Sequence, residues 1–146
     1  MIACDTSFLY SLYVVDIHTP RARARLRRIK LPEALTISPF HEYELPNAIR
    51  LSVFRNLRDS AAGTAILAAF ETDLAAGHFA RPTYNLASVL QEAKRLSTIH
   101  TIQGGHRAFD ILHVAAALHL GAAEFLSFDQ NQRKLATAVG LTTGPT

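Results

Sequence analysis

Residues 1–10 read MIACDTSFLY, and the fold turns on how the junction in this stretch is read. Ile2-Ala3-Cys4 is a short apolar run that reads as a strand, and Ser7–Val15 reads as a helix. Asp5 stands between them. An Asp before a helix accepts orphan backbone N–H bonds and suits the positive end of the dipole. In a parallel α/β sheet the same position lies at the carboxyl edge of the strands, where ligands bind. Both readings stay open on this stretch alone.

Working outward, short apolar segments alternate with longer helical ones. Pro20–Lys30 reads as a charged helix with Pro in its first turn. Ala34–Ser38 (ALTIS) is β-rich. Phe40 to about Arg58 is helical, with Pro46 expected to force a kink or a late start. Asp59–Ala76 is an Ala-rich helix closed by Gly77. His78–Arg81 is a weak strand, Asn85–Ile99 a helix, and Gly104-Gly105 a loop. Arg107–Leu120 is a helix closed by Gly121, Glu124–Phe128 (EFLSF) a strand, and Asp129–Val139 a last helix before Gly140. Strands separated by helices imply βαβ crossovers, hence an α/β fold with a mainly parallel central sheet covered on both faces.

The totals agree. A chain of 146 residues with 49% hydrophobic and 18% charged residues predicts one globular domain over residues 1–146. The uncharged stretch Ile111–Ala123 is too short for a membrane span, which needs about 20 residues. The N-terminus lacks a basic segment and carries Asp5 within its apolar part, unlike a signal peptide. Cys4 is the only cysteine, so no internal disulfide and no cysteine zinc cage exist. These features fit a cytoplasmic protein. No His-x-x-x-His pattern links His106, His113 and His119, which argues against zinc. The net charge of +3 hints at an anionic partner.

Three more acids stand out. Asp129 follows the strand Glu124–Phe128 as Asp5 follows the first, and each can also be a cap. Asp110 lies in AFDILHVAAALHL, a helix apolar nearly all round, on a face shared with His113, Val114 and Ala117. Asp is almost never fully buried unpaired, so Asp110 either pairs with Arg107 three residues before it or points into a polar cleft. Glu44 shares a helical face with Phe40, Ala48 and Leu51, either ending that stripe by reaching outward or pointing into a site. If Asp5, Glu44, Asp110 and Asp129 meet, their mutual repulsion requires raised pKa values or a bound cation. All-oxygen ligands favour Mg²⁺ or Mn²⁺. Such a site serves phosphodiester hydrolysis. Thr6 and Ser127 flank the acids and are suited to orienting water or a carboxylate.

These residues resemble the PIN domain. The resemblance lies in an N-terminal strand ending in Asp5-Thr6-Ser7, and in Glu44-Leu45 followed by Asn47-Ala48. It continues in Arg107 followed by Asp110-Ile111-Leu112-His113-Val114-Ala115-Ala116-Ala117, and in Phe125-Leu126-Ser127-Phe128-Asp129 with Gln132, Leu135-Ala136 and Gly140-Leu141. It covers nearly the whole chain and is strongest with the VapC-type toxins of toxin–antitoxin pairs. It implies a three-layer α/β/α fold and a Mg²⁺- or Mn²⁺-dependent endoribonuclease, with a homodimer and a small cognate antitoxin as partners. The family's acidic positions fall on Asp5, Glu44, Asp110 and Asp129, and Ser127 stands where the family has Thr or Ser.

Arg21, Arg23, Arg25, Arg27, Arg28 and Lys30 crowd one segment, with Arg21, Arg25 and Arg28 on one helical face. The segment is either a solvated helix docked by Ala22, Leu26 and Ile29, or a rail for RNA phosphates or for an acidic antitoxin, with Arg107 as a further contact. Two other functional classes compete. A haloacid-dehalogenase-like phosphatase also begins with a strand and Asp, but wants a second Asp where Ser7 stands. A non-toxin RNA-processing nuclease, or a non-catalytic nucleic-acid-binding module of the same fold, is the remaining alternative. Clustered negative charge facing phosphates speaks against a pure binder.

Overall fold

The alternation of short apolar runs and helices folds as a parallel sheet between helical layers in the computed structural model, which describes residues 1–30 and 33–145. Strand β1 (Ile2–Cys4) leads into α1 (Thr6–Tyr13) and α2 (Thr19–Arg27). Next come β2 (Leu35–Thr36), α3 (Pro39–Phe54), α4 (Ser60–Ala75) and α5 (Leu86–Gly104). The chain closes with α6 (Ala108–His119), β3 (Glu124–Leu126), α7 (Gln130–Ala138) and β4 (Thr142–Gly144). The strands lie in the order β2-β1-β3-β4, all parallel. Ala3 is paired with Phe125 and Cys4 with Leu126.

Alternation along the strands assigns the two faces. Ala3 and Phe125 point to one side, into a core with Val89, Leu96, Val114 and Leu135 from α5, α6 and α7. Ile2, Cys4 and Leu126 point to the other, against Phe8, Ala22, Leu45, Ile49 and Phe70 from α1 to α4. Strands apolar on both faces are what a doubly covered parallel sheet requires. From β1 the chain runs outward to β2 on one side, then returns to build β3 and β4 on the other. The topology therefore reverses between β1 and β3, and ligands bind at such a switch point, beyond the carboxyl ends of the strands.

Several local features differ from expectation. Helix α3 does not start late at Pro46; it runs from Pro39 to Phe54 with the buried Pro46 inside it, which removes one bond from its ladder. The weak strand at 78–81 reduces to a single bridge between Ala80 and Thr36. Helix α5 continues to Gly104 and is capped by Gly105 in the left-handed region, at φ 63°. Strand β4 was not expected at all. Its residues Thr142, Thr143 and Gly144 carry no apolar pattern and are recruited by pairing with Glu124, Phe125 and Leu126.

One buried side chain joins the sheet edge to α3. His41 Nδ1 accepts the Ser38 backbone N–H (3.0 Å), and its Nε2 lies 3.0 Å from the Cys4 carbonyl oxygen. The first contact makes Nδ1 an acceptor, so Nε2 carries the proton and donates to Cys4. Burial, aided by the nearby His113, holds the His41 pKa well below the ordinary imidazole value, so the ring is neutral. Among the described residues no helix is long and apolar enough to cross a membrane.

Candidate active site

Asp5, Glu44, Asp110 and Asp129 all line one recess of about 410 Å³ at the switch point. They reach it from the end of β1, the middle of α3, the first turn of α6 and the loop after β3. A larger recess, about 730 Å³ between α5, α6 and α7, contains none of them.

Asp5 is 2% exposed. It caps α1, accepting the Phe8 N–H at 2.9 Å, so the capping reading is correct. The cap uses only part of the carboxylate. Ser7 Oγ donates to it (2.8 and 2.9 Å to the two oxygens), and Ser127 Oγ donates to Oδ2 at 2.6 Å. Each serine in turn accepts a backbone N–H: Phe128 to Ser7 at 3.0 Å, and Asp129 to Ser127 at 2.9 Å. The two hydroxyls thus lock Asp5 to the β3–α7 loop. Burial pushes the Asp5 pKa up, against the lowering effect of the bonds from Ser127, Phe8 and Ser7. Among the described residues no cationic side chain forms an ion pair with it.

Glu44 points into the recess rather than ending a stripe. His113 Nε2 lies 2.7 Å from its Oε2, and Thr6 Oγ1 donates to the same oxygen. Burial raises the Glu44 pKa, but the bonds from His113 and Thr6 outweigh it and leave the group below its ordinary value. His113 is itself buried, and among the described residues its Nδ1 has no partner.

Asp110 and Asp129 share a cation. Arg107 Nε donates to Asp110 Oδ2 at 3.1 Å, and its Nη2 lies 3.5 Å from Asp129 Oδ2. The Asp110–Arg107 pair expected as the plain alternative is therefore present, yet both acids also face the recess. The Arg107 side chain is 76% exposed, so the guanidinium lies across the mouth. Asp129 also caps α7, with Oδ1 accepting the Asn131 and Gln132 N–H groups at 2.8 and 3.0 Å. Gln132 Nε2 donates to the Asp110 carbonyl at 3.1 Å, tying α7 to α6.

As placed, no three His, Cys, Asp or Glu side chains among the described residues form a group able to hold one metal ion. The acids share a recess, where hydroxyls and an imidazole hold Asp5 and Glu44 and a guanidinium bridges Asp110 and Asp129.

Sequence reasoning named Thr6 and Ser127, and the structure puts Thr6 on Glu44 and Ser127 on Asp5. It passed over Ser7, whose value lies in bridging Asp5 to the backbone of residue 128. It noted His113 on the face of Asp110 and argued against it as a zinc ligand, but did not pair it with Glu44. In the basic segment, Arg21 and Arg28 are exposed, while Arg25 pairs with Glu124 of β3. Arg21 also donates to the Pro145 carbonyl at 3.0 Å. Ala22 is buried and Ile29 half-buried, but Leu26 is exposed, so the helix docks by the edge of its apolar stripe.

Comparison with solved structures places the fold. VapBC2 from Rickettsia felis bound to a DNA fragment from its promoter superposes with a TM-score of 0.70 at 15% identity, covering 99% of this chain and 98% of that one. FitAcB from Neisseria gonorrhoeae gives 0.69 at 17%, covering 99% and 97%. VapC20 from Mycobacterium tuberculosis, a sarcin-ricin loop cleaving toxin, gives 0.68 at 21%, covering 97% of each chain. No curated protein matches the sequence. The PIN domain model, by contrast, matches residues 2–138 and accounts for β1 through α7, so the chain belongs to the PIN domain family.

Proposed function

We propose that this chain is a metal-dependent endoribonuclease and the toxin of a toxin–antitoxin pair. One observation carries the reading: four acids remote in sequence line one recess at the switch point, with Asp5 buried and unpaired by any cation. The donor chemistry fits a hard divalent ion, because carboxylates offer only oxygen. Arg107, bridging Asp110 and Asp129, stands where the field of the acids attracts positive charge. Asp5 and Asp110 would hold Mg²⁺ or Mn²⁺, with Asp129 and Glu44 completing the site directly or through water. When bound, the ion supplies a Lewis acid for the phosphoryl oxygens and the attacking water.

The chain's own groups do the rest. Ser7 and Ser127 fix the Asp5 carboxylate. His113 and Thr6 aim Glu44 and keep it ionised. Arg107 offers a planar fork of donors to a phosphate. Arg21 and Arg28 add positive charge for RNA or an acidic antitoxin, whereas Arg25 is already engaged with Glu124. The toxin role draws support from the likeness to VapC20. A homodimer, a small antitoxin and a cytoplasmic setting belong to the same reading.

The test is expression of wild type and Asp5→Asn side by side. Growth arrest by the wild type alone, together with RNA cleavage by the purified protein that needs Mg²⁺ or Mn²⁺ and stops with a chelator, is the expected result. Equal arrest by both, or cleavage in chelator, refutes the mechanism.

A further inference from the structure

A run of stacked rings leads from the core to the rim of the recess. Phe8, fully buried, stacks with Phe128 at 5.8 Å and 22° between planes. His18 then lies on Phe128 at 4.2 Å and 11°. Phe128 immediately precedes Asp129, and both Phe128 and His18 line the recess beside Asp5. His18 is half-buried, and among the described residues no hydrogen bond holds its imidazole. Its position comes from the stack and from a stiff loop. Asp16 Oδ1 accepts the backbone N–H of His18 and Thr19 at 2.8 and 2.9 Å, and Asp16 Oδ2 accepts Ser11 Oγ at 2.8 Å. Thr19 Oγ1 donates to the Val14 carbonyl at 3.1 Å. The Arg21 guanidinium stands 5.8 Å from the Phe128 ring centre.

From this geometry we infer that His18 is a stacking platform for one unpaired nucleobase beside the phosphate to be cut, an inference that rests on the ribonuclease reading above. A flat ring ending an ordered stack is ready to receive one more plane. Bases splayed out of single-stranded RNA dock on His and aromatic faces in this way, whereas paired bases are already stacked. Arg21 beside the stack supplies charge for the backbone of the same nucleotide. The nucleotide is engaged by the face of its base and not by its edge. Such a contact tolerates several bases but requires that one be present.

The test uses the full chain carrying Asp5→Asn, so that bound RNA stays intact in Mg²⁺. Fluorescence anisotropy is read with a labelled single-stranded oligoadenylate and with a base-free ribose-phosphate polymer of equal length. Adding His18→Ala is expected to weaken oligoadenylate binding about tenfold, leave the base-free polymer unchanged, and leave the melting temperature near that of the parent. His18→Phe is expected to restore binding. Equal loss on both polymers, no loss on either, or a Phe variant as weak as Ala overturns the platform. So does a parent that binds no oligoadenylate. Wild type that cuts RNA while His18→Ala leaves base-dependent binding intact removes this inference alone; wild type that cuts no RNA removes the ribonuclease reading beneath it.

Discussion

The two halves of the recess hold their acids by different means. On the β1–α3 side, Asp5 and Glu44 are gripped by two serines, a threonine, an imidazole and one backbone N–H. On the α6–α7 side, Asp110 and Asp129 are joined by one exposed guanidinium. Hydroxyls fix a carboxylate's direction without cancelling its charge, so the first half is aimed but electrostatically unsatisfied. A guanidinium cancels one of the two charges and is a long, solvated side chain, so the second half is half neutralised by a cation that is open to exchange. The contrast teaches where rigidity and exchange reside: one half is a template, and the other is where, on the proposed metal-dependent reading, an incoming cation would displace Arg107.

The largest expected effect breaks the template. Asp5→Asn should lower RNA cleavage at least about a hundredfold in a gel-based rate assay, since it removes one charge that the metal site depends on. Stability should move the opposite way. Burial raises the folded-state pKa of Asp5 above its unfolded value, so its favourable contribution is present at low pH and lost as pH rises through the folded pKa. In chelator, the melting temperature of Asp5→Asn should therefore match wild type in acid and exceed it increasingly toward neutral pH.

Next, His113→Gln should lower kcat about tenfold with KM unchanged, because Glu44 keeps a neutral donor but loses its close partner. His113→Phe should lower it further and raise the Glu44 pKa, visible as a shifted acidic limb of the pH–rate profile. Unchanged kcat in both variants would remove Glu44 from the template. The smallest effect probes the exchangeable half. Arg107→Ala should change folding stability by less than about 1 kcal/mol in a urea titration, as expected for an exposed pair. It should also tighten Mn²⁺ binding several-fold by calorimetry, since the ion no longer competes with the guanidinium. Weaker Mn²⁺ binding would show that Arg107 assembles the acids and does not merely occupy their field.

Much of this contrast was legible in the residues and some was not. Ile2-Ala3-Cys4 and Glu124–Leu126 declare themselves as strands because short runs of apolar and aromatic residues stand between turn signals. That Asp5 and Asp129 stand at one edge of the sheet follows from the parallel order, which brings the carboxyl ends of β1 and β3 together. Strand β4 could not be read, because Thr142-Thr143-Gly144 earns its place only by pairing with a strand far from it in sequence. Helix α3 defied Pro46 because tertiary burial of Leu45 and Ile49 outweighs one lost hydrogen bond. The grip of Ser7 on Asp5 and the Phe128 backbone was invisible, since it depends on the register of β1 against β3. Asp110 and Glu44 stood out by what they cost in an apolar setting, and Asp5 and Asp129 by following strands; of their holders, Thr6 and Ser127 stood out by flanking acids, while Ser7 left no trace in the pattern.

The His41 clamp carries a consequence for how the recess behaves across conditions. It fastens the end of the strand bearing Asp5 to the first turn of the helix bearing Glu44, and it does so through an imidazole that stays uncharged. The gap between those two acids is thus set like a jig by an acid-insensitive spacer. Changes in acidity near neutrality therefore leave the frame that spaces this pair unaltered.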